Sequence, residues 1–218
     1  MTTTLDMTCP SCGNVHAVTV YSGINTADQP ELKAAVRDGS LFVWECPHCG
    51  KRNLAVYQLL YHDPEQRLMV WLLPEGVMAP EQEKAVSAAL ERQMGALEGY
   101  TLRRVSNAGA LIEKVNLHEA GLDDVVMEMA KWVTRNEMAE KDRAHAEELL
   151  RAPLRFYRMD GPDNEIQLSF PLGGAMQVVN IGFNVYEDCR GIVGRNPALR
   201  PPIGFAVVDM DWIETFLR

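Results

Sequence analysis

Two short stretches carry residue types that do chemistry on their own: "CPSCG" over 9–13 and "CPHCG" over 46–50. Each sets two thiols three positions apart, and Cys12 and Cys46 lie 34 positions apart. Four thiolates are the soft, tetrahedral donor set that Zn²⁺ takes in closed structural sites. The neighbouring residues suit such a site. The proline after the first cysteine of each pair fixes φ and stiffens the turn. Gly13 and Gly50 can adopt positive φ, so the backbone can wrap back and aim its N–H groups at the sulfurs. Cys9, Cys12, Cys46 and Cys49 are therefore the expected ligands of one structural Zn²⁺. A redox dithiol and an iron site are the competing chemistries. A redox CxxC works best at a helix N-terminus, where the dipole lowers the thiol pKa. Here the sequence after each motif, "VHAVTV" and "LAVYQLLY", is of β type.

A closed set of four thiolates leaves no coordination position for water, which argues against catalysis at the metal. His48, inside the second pair, reads as a solvent-facing turn residue rather than a ligand or a base. His16 follows the first pair and could donate to a ligand sulfur, as groups around metal sites commonly do. Lys51 and Arg52 stand where they could offset the formal −2 of a four-thiolate zinc site. The fifth cysteine, Cys189, has no base that the sequence places beside it and reads as a packing residue. "YHD" at 61–63 offers a histidine–aspartate dyad, although Pro64 makes a turn the simpler reading. Asp123 and Asp124 at a helix start read as capping residues. "PLGGAM" at 171–176 has a glycine pair but no phosphate-binding pattern.

The chain resembles the CpXC domain proteins of bacteria and archaea, named for their two Cys-Pro-x-Cys motifs. The likeness extends beyond the cysteines. "PELKAAVRDGSLFVWECPHCG" (30–50) resembles the family's approach to its second motif, and "LLYHDPEQRLMVWLLPE" (59–75) resembles the stretch after it. "LRRVSNAGALIEKVNLHEAGLDDVVMEMAK" (102–131) resembles a later helical part. The resemblance covers about residues 7–135. It implies a metal-binding module carried by Cys9, Cys12, Cys46 and Cys49, and implies no reaction.

The elements that must hold these thiols follow from local patterns. Residues 15–24 read as a strand. Residues 27–40 read as a short helix capped by Asp28, with Pro30 in its first turn and Gly39 beyond its end. Residues 41–47, 54–61 and 67–73 read as further strands. The expected fold is α+β: a zinc-ribbon-like antiparallel sheet with a helical insert, a helical middle segment and a small C-terminal α+β region. The middle holds helices over 80–99, with an apolar stripe of Val86, Ala89, Leu90, Met94 and Leu97, over 107–121, and over 122–150. The second half of the last is charged, with Glu137 and Lys141 four apart, and reads as a solvated bridge. After Pro153, residues 154–159, 165–170 and 176–188 read as strands, 196–202 as a loop, and the end as a strand running into a helix capped by Asp209 or Asp211. The expected division is a CpXC zinc-binding domain at 1–135, a helical linker at 136–152, and an α+β region at 153–218.

The composition narrows the function classes. The 218 residues are 47% hydrophobic and carry a net charge of −9, spread along the chain without a basic patch. Binding driven by nucleic-acid phosphates needs clustered Lys and Arg, so nucleic acid is not an expected partner. Such binding would require Lys51, Arg52, Arg103 and Arg104 to converge. No apolar run approaches the ~18 residues of a membrane span. The opening "MTTTLDMTCP" has neither the basic nor the apolar region of a secretory signal, and a cytoplasmic location, where thiols stay reduced, is expected. The leading expectation is a non-enzymatic module whose zinc supports a surface for a protein partner or for self-association. The alternative is a hydrolase-like enzyme with a cleft between the N-terminal domain and 153–218, with His62 and nearby acids as first candidates.

Overall fold

The computed structural model describes residues 2–93 and 98–217. It divides into two compact units: one runs up to Val115 and includes Pro202–Ala206, and the other comprises Asn116–Pro201 and the residues from Val207 on.

In the first unit, β1 (Thr2–Thr8) and β2 (Val15–Tyr21) form a hairpin around the first cysteine pair. β3 (Gly23–Asn25) follows, and α1 (Pro30–Arg37) fills the space between the two cysteine motifs. The helix starts from Gln29, which makes no side-chain cap. Asp28, expected in that role, instead accepts from the Asn25 side-chain amide at 2.7 Å. Gly39, at φ +80°, ends the helix and leads through a short 3₁₀ turn into β4 (Val43–Glu45). β4 pairs with β5 (Arg52–Leu54) around the second cysteine pair. β6 (Leu59–Asp63) and β7 (Leu68–Leu72) then make an antiparallel pair. α2 (Pro80–Gln93) and β8 (Thr101–Val105) follow. Of the apolar stripe expected on α2, Met94 and Leu97 lie outside the described residues.

The chain is mixed α+β, but the single antiparallel sheet expected around the cysteines is replaced by three small sheets. Each cysteine hairpin is a two-stranded sheet of its own, and β3-β6-β7-β8 is a separate four-stranded sheet. Two of its three pairings, β3 with β6 and β7 with β8, are parallel. The run 54–61, expected as one strand, is divided between β5 and β6 because it passes from the hairpin to this sheet. β7 is central, and all five of its residues are buried. That accounts for its unbroken apolar sequence, since a strand covered on both faces needs no alternation. One core joins the hairpins to the sheet: Cys9, Val20, Phe42, Trp44, Cys46, Tyr57, Leu59 and Tyr61 are among its buried members.

α3 (Ala108–Glu119) begins after Asn107, whose side chain accepts from Ala110 N at 3.0 Å. In the second unit, Asp123 caps α4 (Asp124–Lys141), accepting from Val125 N and Val126 N at 2.8 and 3.1 Å. The helical pattern expected through 150 breaks at Asp142, whose carboxylate holds His145 at 2.9 Å, and resumes as α5 (Ala146–Arg151). Residues 136–152, expected as a helical linker, thus form the end of α4 and all of α5. Thr134 and Arg135 in the second half of α4 are buried, whereas Glu137 and Lys141 pair at 2.5 Å on the surface. β9 (Arg155–Asp160), β10 (Glu165–Leu172) and β11 (Ala175–Ile181) form an antiparallel sheet with β10 in the middle. Ile166, Leu168 and Phe170 are buried, as their alternation predicts. The strand expected over 176–188 stops at Ile181, and α6 (Phe183–Arg195) takes its second half. α7 (Met210–Glu214) closes the chain, capped by Asp209. Among the described residues no helix is long and apolar enough to cross a membrane.

Candidate metal centre

The two cysteine turns are built alike. Cys9 N donates to Asn14 O and Gly13 N to Cys9 O, both at 2.8 Å, while Cys46 N donates to Lys51 O at 2.9 Å and Gly50 N to Cys46 O at 2.8 Å. Each turn closes through a glycine with positive φ, +73° at Gly13 and +67° at Gly50, where a side chain would strain the backbone. The turns aim further N–H groups at the sulfurs: those of Ser11 and Cys12 at Cys9, Asn14 at Cys12, and Lys51 at Cys49.

The turns face each other, so that all four sulfurs lie within 4.8 Å of one another. Cys9 Sγ is 3.7 Å from Cys49 Sγ, and Cys12 Sγ is 3.7 Å from Cys46 Sγ. A disulfide would bring sulfurs to about 2.05 Å. A tetrahedral ion with metal–sulfur bonds of about 2.3 Å has edges of about 3.8 Å. The donor set therefore fits a single four-coordinate ion. Cys9 and Cys46 are fully buried, Cys12 is half-buried and Cys49 is exposed.

The acidities point the same way. Burial opposes ionisation of Cys9, but the N–H groups of Ser11 and Cys12 outweigh it and bring the thiol down to about 6. The Asn14 backbone N–H and side-chain amide hold Cys12 below the ordinary thiol range. The Lys51 N–H favours the Cys49 thiolate, yet burial and the three neighbouring sulfurs prevail and push it up to about 12. Sulfurs this close cannot all carry charge unaided, and a full set of thiolates calls for a cation among them.

Around the sulfurs lie polar side chains that spacing alone did not reveal, apart from His16. His16 Nε2 stands 3.4 Å from Cys46 Sγ, Asn14 Nδ2 donates to Cys12 Sγ at 3.4 Å, and Asn53 Nδ2 to Cys9 Sγ at 3.7 Å. Asn53 also holds Lys51 O at 2.9 Å, bracing the second turn. The signal for Asn14 and Asn53 was their type and place: an amide immediately after one turn and another on the strand leaving the other. His48, Lys51 and Arg52 are exposed.

The other sequence candidates lie elsewhere. His62 and Asp63 do not form a dyad, because adjacent strand residues face opposite sides of a sheet. The His62 ring meets Tyr100, Nε2 to the hydroxyl at 3.3 Å, and burial lowers its pKa. The Asp63 carboxylate is engaged by Lys33 at 3.0 Å, by the Tyr61 hydroxyl at 3.2 Å and by Gln66 N at 3.2 Å. Cys189 is buried on α6, and burial raises its thiol to about 11. Arg103 is buried and Arg104 is paired with Glu83 at 2.6 Å. Asp123 is occupied as a cap.

Two hairpins that present paired cysteines to one point define a protein with a four-cysteine cluster able to bind a metal ion. The profile of the CpXC protein family matches residues 7–131, which include all four cysteines. The chain belongs to the CpXC family. No curated protein and no solved structure matches it.

Proposed function

We propose that Cys9, Cys12, Cys46 and Cys49 hold one structural Zn²⁺ in a ribbon-like pair of hairpins, and that the stapled unit serves as a non-enzymatic module presenting a surface to a protein partner. The observation that carries this reading is the convergence of the four sulfurs within 4.8 Å of one another, with two pairs at 3.7 Å. Zinc is favoured over redox chemistry because each cysteine pair sits in a hairpin turn rather than at a helix N-terminus. When bound, the ion supplies a closed, redox-inert tetrahedral crosslink. The chain's residues supply the thiolates, the N–H groups that stabilise them, and the amides and imidazole that fix their orientation.

The need for a staple follows from size. A two-stranded hairpin is marginal in water, and most of β1 is exposed. Structural zinc commonly contributes about 10–16 kcal/mol of apparent binding free energy to folding. Beside the centre, Met7, Pro10, Trp44, Arg52, Leu54 and Val56 line a groove of about 590 Å³. Leu54 and Val56 are 72% and 71% exposed, an apolar pair at a surface that supports the interaction reading. Reduced thiols as ligands fit a cytoplasmic setting. Metal analysis of the purified chain tests the proposal: about one zinc per chain is expected, lost when Cys9 or Cys46 is replaced by serine.

A further inference from the structure

The two edges of the β9-β10-β11 sheet are unlike. Among the described residues β9 and β11 each pair only with β10, so both edges are open. An open edge presents unpaired N–H and C=O groups to any other strand, and soluble proteins usually guard it with charge. β9 is guarded: "RFYRMD" carries Arg155, Arg158 and Asp160. β11 is not. From Gly173 to Gly182 the sequence "GGAMQVVNIG" holds no charged residue, in a chain of net charge −9. Ala175, Met176, Gln177 and Val178 are exposed in succession. Successive strand residues point to opposite faces, so at this end neither face of the strand is covered. Met176 and Val178, on the same face, are 67% and 53% exposed.

We propose that β11 is an interface at which two copies of this chain pair edge to edge, antiparallel, joining their sheets into one of six strands. The sequence of the edge selects this occupant. A two-fold interface must be self-complementary, and an antiparallel register centred on Gln177 meets that demand. Met176 then lies opposite Val178 of the second copy, and Val178 opposite Met176 of the second copy. The two exposed large apolar side chains of the strand thus cover each other twice. Ala175 lies opposite Val179 of the second copy, and the two Gln177 amides meet at the axis. No like charges oppose each other, because the strand has none. A register centred on Val178 would set Val178 against its own copy but Met176 against Asn180, leaving Met176 without an apolar partner. The edge belongs to the second unit and all four cysteines to the first, so the inference does not rest on the metal centre. An edge of seven residues buries less than the ~1,600 Å² of a standard interface, so the dimer is a weak one.

Sedimentation velocity on the full chain from about 1 to about 500 μM spans the range in which such a dimer forms. The wild type is expected to shift from monomer towards dimer as concentration rises. The Met176→Lys/Val178→Lys chain sets like charges opposite each other and is expected to dimerise at least about tenfold more weakly. Mixing it with the Met176→Glu/Val178→Glu chain restores a dimer of one copy of each. In the wild type, amide exchange over 175–181 is expected to slow as concentration rises, a readout that needs no variant. A wild type that remains monomeric throughout, with exchange at 175–181 independent of concentration, overturns the proposal and leaves the edge to another chain or to none. A dimer that persists undiminished in a folded double-lysine chain overturns it as well, by placing the interface elsewhere.

Discussion

Asp63 offers a quantitative test of how the first unit is held together. It is 1% exposed, and its carboxylate takes three hydrogen bonds, from Lys33, Tyr61 and Gln66. Lys33 ties α1 to β6 through this carboxylate, so the pair braces the helix that fills the span between the cysteine turns. Burial raises the carboxyl pKa, but the Lys33 ammonium, the Gln66 N–H and the Tyr61 hydroxyl more than offset it and hold the group below the ordinary carboxylate range. Asp63→Asn keeps the shape and the acceptor for Gln66 N. It removes the charge and turns an N–H₂ group towards two donors. A hydrogen bond to a charged group contributes about 1.5–3 kcal/mol, and a donor left unsatisfied in the interior costs about 1–3 kcal/mol more. Because Lys33 keeps 18% of its side-chain surface in water, part of the second cost is relieved, and a loss of about 2–4 kcal/mol is expected. The assay is urea unfolding at neutral pH, read by amide exchange over residues 55–75. The pH dependence fixes the sign. A carboxyl whose folded pKa is depressed stabilises fully above its unfolded value of about 3.9 and loses that stabilisation as pH falls towards the lower folded value. The gap between wild type and Asp63→Asn should thus be constant from about pH 7 to pH 5 and narrow below about pH 4. Loss of the proposed zinc at low pH would act on both chains alike. A gap below about 0.5 kcal/mol at neutral pH, or one that widens as pH falls, refutes the reasoning.

Further outcomes concern the metal centre. Cys46→Ser should raise amide exchange throughout β1, β2, β4 and β5, while protection in β9–β11 changes little. His16→Phe removes the imidazole beside Cys46 and is expected to weaken zinc affinity about 10–100-fold with the fold retained, measured by competition with a chromogenic chelator. Gly50→Ala places a side chain at φ +67° and is expected to cost about 1 kcal/mol or more of stability in the zinc-loaded chain by urea titration.

The convergence of the four cysteines was legible in the sequence because the geometry of each turn is local. Two residues between thiols, a proline and a glycine determine each turn, and two matching turns make a set of four thiols that could share one ion. The partition of strands among sheets was not legible. "LAVYQLLY" reads as one β segment, yet whether it stays with the hairpin or crosses to β7 depends on contacts far away in sequence. α6 was hidden for a similar reason. "FNVYEDCRGIVGR" holds two internal glycines and β-branched valines, poor helix formers. Its register is supported by packing, with the Tyr186 hydroxyl accepting from Asp123 N at 2.8 Å. The charged second half of the expected helix was legible, and Glu137 and Lys141 pair there on the surface. The pairing of the charges before it was not: Asp124, Glu128, Lys131 and Arg135 follow a 4-3-4 spacing along one buried face. Glu128 and Lys131 pair there at 2.7 Å, and Arg135 pairs with Glu214. Such partners become visible only in three dimensions.

X-ray absorption at the zinc edge of the purified, reduced chain, combined with metal counting, addresses the central claim most directly. About one zinc per chain, bound by four sulfurs at about 2.3 Å with no nitrogen or oxygen neighbour, is the predicted result. A chain that takes up no zinc while its thiols are free, or a first shell with fewer than four sulfurs, contradicts it.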